Sequence, residues 1–111
     1  MTVARELSQL RRGVLESCVL ALISGEPRYG YDLATELSEA GLVASEGTLY
    51  PLLSRLRKEG LVATTWQEST GGPPRRYYSL TPGGAASLES FRHSWAEFAR
   101  SVDVILEGHK P

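Results

Sequence analysis

The chain has 111 residues, 41% of them hydrophobic and 23% charged, proportions that argue against a disordered, collagen-like or purely coiled-coil protein. A chain of this length buries about 65% of its unfolded surface, enough for one core and not for two domains with separate cores. Twelve basic residues against 13 acidic give a net charge of −1, which argues against a uniformly basic nucleic-acid coat but allows a basic patch on one face.

From Leu7 the apolar residues Leu10, Val14, Cys18 and Leu22 recur at helical spacing, thickened by Leu15, Val19 and Ile23, until Ser24-Gly25-Glu26-Pro27 stops the pattern. A second helix is predicted from about Tyr29 to Ala40, where Leu33, Ala34, Leu37 and Ala40 make one apolar face and Gly41 suits the position after the C-cap. A third begins near Ser45 as N-cap, with Glu46 in its first turn. Its inward stripe is Leu49, Leu52, Leu53 and Leu56, and it ends at Gly60. The period then changes. Leu61–Glu68 and Arg75–Leu80 are rich in β-branched and aromatic residues and predict an antiparallel hairpin, its tip, Ser69 to Pro74, expected to be long and mobile. Thr81-Pro82 reads as N-cap and first residue of a last helix. In that helix Leu88, Phe91, Trp95, Phe98, Val102 and Ile105 follow a heptad seam, and from Gly83 to Glu107 it would extend about 37 Å at 1.5 Å per residue. Such a seam calls for a partner helix, and self-association supplies one, the alternative being a helix that packs only on the chain's own core.

The expected fold is mainly α with a small β-hairpin: a winged helix-turn-helix plus a long C-terminal dimerisation helix. Residues 1–80 form the DNA-binding unit and residues 81–111 the dimerisation helix, with Leu10 and Val14 of the first helix adding to the dimer. If the third helix turns its leucines inward, Gly47, Tyr50, Pro51, Ser54 and Lys58 face out, with Arg55 and Arg57 at the margins. That face is polar, aromatic and basic. Gly47 permits close backbone approach, Thr48 and Ser54 can hydrogen-bond bases or phosphates, and Arg75 and Arg76 place cations on the wing. Strand alternation lets only one of those two arginines share a face with Tyr78, so they should contribute unequally. Gly72 belongs to a wing tip that skims DNA. Tyr31 stands at the start of helix two, where its phenol could donate to a phosphate. Tyr29 and Trp66 are expected to pack in the core, and Cys18 to be a small buried hydrophobe.

One cysteine excludes an internal disulfide, and with only His93 and His109, far apart, no metal-ligand spacing exists. No glycine-rich phosphate loop, nucleophile elbow or cofactor motif is present, so neither an enzyme nor a cofactor is expected. The N-terminus carries arginines without an apolar stretch behind them. The longest apolar run, Val19–Ile23, is far short of the ~20 residues a membrane span needs, so a cytoplasmic protein without membrane partners is expected.

Four stretches, Tyr29-Gly30-Tyr31-Asp32-Leu33, the run from Gly47-Thr48-Leu49-Tyr50-Pro51 to Leu56, Glu59-Gly60-Leu61-Val62, and Arg76-Tyr77-Tyr78-Ser79-Leu80-Thr81-Pro82 with Gly84, resemble the PadR family of bacterial transcriptional regulators. The resemblance spans about Leu15 to Gly84. It includes a proline inside the recognition helix, where Pro51 removes a helical hydrogen bond to Gly47. What it implies is a homodimeric winged-helix repressor that binds palindromic double-stranded DNA, often its own promoter, and is released by a small molecule. With one long helix after Thr81 the chain is similar to the short version of the family. His93-Ser94-Trp95 is similar to a segment of members that sense planar aromatic drugs, in which the two tryptophans of the dimer flank a flat apolar pore. By that resemblance Phe91, Trp95 and Phe98 are candidates for an aromatic ligand site, weighed against an ordinary packing role on the seam. Two other readings remain open: a winged-helix protein-interaction module, and an aromatic small-molecule binder without operator binding.

Overall fold

A computed structural model of the chain describes residues 10–11, 14–42 and 46–108. Its elements in chain order are α1 (Leu15–Leu22), β1 (Arg28–Tyr29), α2 (Gly30–Glu39), α3 (Glu46–Lys58), β2 (Val62–Ser69), β3 (Gly72–Leu80) and α4 (Pro82–Leu106). The first turn predicted from Leu7, the Ser45 cap and His109 lie outside the described residues.

The core gathers one face from every helix. Leu15, Val19, Leu20 and Ile23 of α1, Leu33, Ala34 and Leu37 of α2, and Leu49, Leu53 and Leu56 of α3 are buried together with Val62, Tyr78 and Leu88. In α1 the buried stripe is therefore the flanking one. Cys18 and Leu22 only border the core, and Leu10 is exposed. Cys18 is half-buried, and desolvation pushes its thiol above the ordinary value.

Helices α2 and α3 stop in the same way. Gly41 and Gly60 adopt positive φ (75° and 79°), and the backbone N–H groups of Leu42 and Leu61 donate back to the carbonyls of Leu37 and Leu56 at 2.8 and 3.0 Å. Only glycine takes that conformation without steric cost, and the resulting bonds satisfy carbonyls the helix leaves open.

The wing differs from the expected hairpin in three respects. It is a three-stranded antiparallel sheet in the order β1-β3-β2, because Arg28 and Tyr29 pair with Tyr78 and Tyr77. Helix two accordingly starts at Gly30, and Tyr29 is a half-buried strand residue rather than a core one. Its tip is short: Ser69 pairs with Gly72 across the turn Thr70–Gly71. The prolines are accommodated inside β3. Between the pairs Gln67–Arg75 and Ser69–Gly72, Pro73 and Pro74 together face Glu68 alone, a bulge that needs no proline donor, and the Ser69 hydroxyl donates to the Pro73 carbonyl at 2.7 Å. Trp66, expected to pack against the helices, is instead 66% exposed. Its strand has already moved beyond the helical layer there, since Val62 is buried and the residues from Thr65 to Glu68 are exposed.

The fourth helix is rooted by Thr81. Its hydroxyl accepts from the Gly84 N–H at 2.9 Å and donates to the Gly60 carbonyl at 2.6 Å, with Pro82 at the first helical position. Gly84 lies directly on the Leu61 carbonyl: a Cβ there would stand 2.1 Å from that oxygen. Leu88 reaches the core, and beyond it most residues of α4 are exposed. The chain measures 59 × 33 × 21 Å along its principal axes.

Candidate nucleic-acid interface

With Leu49, Leu53 and Leu56 fully buried, the 100° step of a helix turns Gly47, Pro51, Ser54 and Lys58 straight outward, and all four are exposed. Pro51 stands inside the helix, so the Gly47 carbonyl has no helical donor from that position. Tyr50 and Arg55 fall on opposite flanks. Tyr50 leans toward the wing, its ring edge 3.4 Å from where a Gly30 Cβ would be. Arg55 leans toward α1. Its guanidinium donates to Glu59 at 3.0 Å and to Glu16 at 3.2 Å, and the hydrogen bond to Glu16 is the leading cause that raises its pKa. Thr48 shares the Arg55 flank by helical angle and is exposed. Lys58, Arg57 and Arg55 crowd the last turn, where the helix dipole favours cations.

The two wing arginines have different surroundings. Arg76 lies on the Tyr78 face: its guanidinium sits 5.6 Å from the Trp66 ring and 5.8 Å from the Tyr78 ring, and donates to the Thr64 hydroxyl at 3.4 Å. It is half-buried, with an Nε that no acceptor reaches. Arg75, on the other face and exposed, lies 4.8 Å over the ring of Tyr29. Tyr29 in turn stands 5.8 Å from Tyr77 and 6.2 Å from Tyr31, which is 55% exposed. The predicted residues Tyr31 and Arg75, far apart in sequence, are thereby joined through Tyr29, with Tyr77 packed beside it. Gly72 is exposed beside the turn.

Away from α3, the residues just before α1, the turn after α2 and α4 frame an apolar groove of about 850 Å³, lined among others by Leu10, Val14, Phe91, Trp95, Phe98 and Val102. The rings of Phe91 and Trp95 stack at 6.0 Å with planes 15° apart. Arg11 and Asp103 supply charge at the groove wall, and the Arg11 Nε donates to the Gly41 carbonyl at 2.7 Å. Ile105 is 77% exposed beyond it. Leu88, which the heptad seam assigned to the dimer, is buried in the chain's own core because the first turns of α4 dock on α1 and the sheet. His93 is exposed beside Glu89. Among the described residues no group of His, Cys, Asp and Glu could hold a metal ion, and no helix is long and apolar enough to cross a membrane.

Residues 19–90 match the model of the transcriptional regulator PadR-like family. The chain belongs to that family. It is thus a PadR-like transcriptional regulator and not an enzyme. Solved structures agree. A PadR-like transcriptional regulator from Bacillus cereus is 44% identical with a TM-score of 0.83, over 91% of this chain and 99% of that one. A PadR family regulator from Eggerthella lenta is 36% identical with a TM-score of 0.83, over 95% and 92%. Bacillus subtilis PadR, solved in complex with operator DNA, is 26% identical with a TM-score of 0.64. There the match covers 70% of this chain and 45% of that one. Among curated proteins, a transcriptional regulator of Mycobacterium tuberculosis is 35% identical over 86% of this chain and 89% of its own length.

Within this PadR-like chain, sequence reasoning missed Tyr29 as the link between Tyr31 and Arg75, and Tyr77 as the ring beside it. The signal was present in β3, where Arg75, Tyr77 and Ser79 alternate with Arg76, Tyr78 and Leu80. What could not be read was the two-residue β1 that sets Tyr29 against Tyr77.

Proposed function

We propose that the protein is a homodimeric repressor that lays α3 in the DNA major groove and the wing on the flanking backbone. The observation that carries this reading is the outward face of α3: Gly47, Tyr50, Pro51, Ser54 and Lys58, all exposed on an otherwise leucine-packed helix. Polar contacts from Ser54 and Thr48 suit base edges or phosphates, and Gly47 admits close backbone approach. Lys58, Arg75 and Tyr31 suit phosphates. Arg55 reaches DNA from the α1 flank only by leaving its carboxylates, and Arg76 acts mainly by holding the wing, with Gly72 at its tip. That Bacillus subtilis PadR was solved with operator DNA supports the same use of the fold here.

Residues 1–80 would be the reading unit and residues 81–111 the pairing helix, with Leu10 and Val14 joining Phe91, Trp95, Phe98, Val102 and Ile105 across the two-fold axis. A two-fold dimer presents two recognition helices, so the operator is an inverted repeat with half-sites about one helical turn, or a multiple, apart. A planar aromatic effector stacked on Trp95 would bind one dimer arrangement better than the other and so shift DNA binding. The groove and its stacked Phe91 and Trp95 favour this second element. The protein would act in the cytoplasm without cofactor.

The test is a fluorescence-anisotropy titration against DNA from its own upstream region, at two salt concentrations with competitor DNA. Saturable binding that survives competitor and weakens with salt is expected. Absence of binding across a genomic fragment pool would overturn the reading. Trp95→Ala is expected to abolish release by aromatic compounds, and unchanged release would remove Trp95 from the effector site.

A further inference from the structure

We propose that Trp66 is a DNA-contacting residue of the wing, held by Arg76 and packing its indole on the sugar-phosphate backbone beside the site that α3 reads. The proposal rests on the DNA-reading role of α3. In β2 the alternation sets Val62, Thr64 and Trp66 on one face of the sheet, in register with Leu80, Tyr78 and Arg76 of β3. Val62 and Tyr78 are buried, so this is the face turned toward the helices, and α3 packs against β2. Two residues beyond Thr64, about 7 Å at the rise of a strand, the helical cover has ended and Trp66 is 66% exposed. The largest apolar side chain of the wing therefore extends past the domain on its helix-facing side.

A lone exposed aromatic residue would mean little. Trp66 is held, however. The Arg76 guanidinium lies 5.6 Å from its ring and 5.8 Å from that of Tyr78, so one cation joins the exposed ring to the buried one. That cation is not neutralised within the described residues. Arg28, paired with Tyr78 across the sheet, holds Glu36 at 2.6 Å, whereas no carboxylate among the described residues pairs with Arg76. Glu68, the next residue of β2 toward the tip on that side, sits in the bulge and forms no ion pair with it. A cation lying against two rings, one of them open to solvent, fits a partner that is anionic and apolar at the same place. The DNA backbone is such a partner. Its phosphate oxygens suit the guanidinium and the indole N–H, which can only donate, and its deoxyriboses suit the face of the indole. Since α3 packs against the same strand, a duplex seated on α3 brings its flanking backbone to this face.

The experiment uses the full chain, with both tryptophans replaced biosynthetically by fluorotryptophan, and a duplex that the protein selects from a randomised pool. The fluorine resonance of Trp66 is assigned by its absence from Trp66→Phe. On binding the duplex it is expected to lose most of its shift between light and heavy water, the mark of a ring removed from solvent. Trp66→Ala is expected to bind the duplex about tenfold more weakly, the scale of one interface aromatic residue. At saturating protein it should also uncover deoxyriboses flanking the central footprint to hydroxyl-radical cleavage, while the centre stays protected. A tryptophan that only braced the wing would keep its isotope shift in the complex. An isotope shift unchanged by the duplex, or a Trp66→Ala variant with the affinity and footprint of the wild type, overturns the inference alone and leaves the exposed ring to a protein partner. If Trp66→Ala does not fold, the isotope shift of the wild-type chain decides. Selection of no duplex by the wild type overturns the DNA reading and the inference with it.

Discussion

Gly84 offers the sharpest test of how α4 is attached. Replacing it with alanine places a Cβ 2.1 Å from the Leu61 carbonyl oxygen and 2.7 Å from Leu80 Cδ1. The first distance falls short of van der Waals contact by about 1 Å. The Leu80 side chain can turn away, but the Leu61 carbonyl is backbone and cannot, so the root of α4 must lift. Lifting it strains the bond from the Thr81 N–H to the Leu61 carbonyl (3.3 Å) and that from the Thr81 hydroxyl to Gly60 (2.6 Å). Overpacking costs about 1–3 kcal/mol and each weakened bond about 1 kcal/mol, against a gain of about 0.5–1 kcal/mol in helix propensity, for a net near 3 kcal/mol. In a domain of this size that lowers the melting temperature by roughly 10–20 °C. Gly83 is the control, because its Cβ would meet the Gly60 carbonyl only at 3.4 Å. Gly83→Ala is expected to be neutral or stabilising by about 0.5 kcal/mol. The assay is thermal unfolding followed by circular dichroism at one fixed protein concentration, since the proposed dimer would make the midpoint concentration-dependent. Equal melting temperatures for the two variants would refute the account of the α4 root.

Removing Glu16 by Glu16→Gln releases Arg55 from its α1 partner and is expected to tighten DNA binding about two- to fivefold at low salt, an effect that vanishes in the Arg55→Gln background; anisotropy titrations of the four proteins check it. Lys58→Gln and Arg75→Gln should each reduce the slope of log affinity against log salt by about 1. Arg76→Gln should instead lower the melting temperature, because its guanidinium bridges Trp66, Tyr78 and Thr64; an unchanged melting temperature would count against the structural role. Phe98→Glu, at a side chain 63% exposed in the single chain, is expected to give a folded monomer in analytical ultracentrifugation. The raised thiol pKa of Cys18 means that folding favours the neutral form. Its contribution to stability is therefore complete below the unfolded thiol's pKa and declines as pH rises past it toward the folded value, which denaturant melts of wild type and Cys18→Ala across the alkaline range would register.

The helices were legible because their signals are periodic or local. Leu49, Leu53 and Leu56 mark the inward face of α3 and so expose its outward one, Gly41 and Gly60 mark where two helices stop, and Thr81-Pro82 marks where the last begins. The heptad reading of α4 located Phe91, Trp95, Phe98 and Val102 on one groove, but it overran at Leu88, whose spacing is the same whether the neighbour is another copy or the chain's own core. In the wing the alternation of β3 separated Arg75 from Arg76. Trp66 was misplaced because aromatic content says nothing about how far a strand extends past the helices that cover it.

The two glycines on which the architecture most depends left no such trace. Gly30 and Gly84 have ordinary backbone angles, so no turn chemistry marks them, and each sits near the start of a helix where glycine reads as mere tolerance. Their meaning lies in what approaches them: two tyrosine rings in one case, a carbonyl oxygen in the other. Both approaches join elements distant in the chain, α2 with α3 and β3, and α4 with the turn after α3. A contact of that kind depends on the full three-dimensional arrangement, and it shows in the sequence only as a side chain that is not there. The two positions also divide the work differently. Gly84 lets α4 sit on the domain and should register strongly in stability, whereas a Cβ at Gly30 would press only on Tyr78, at 3.2 Å, and meet Tyr50 at ordinary contact distance.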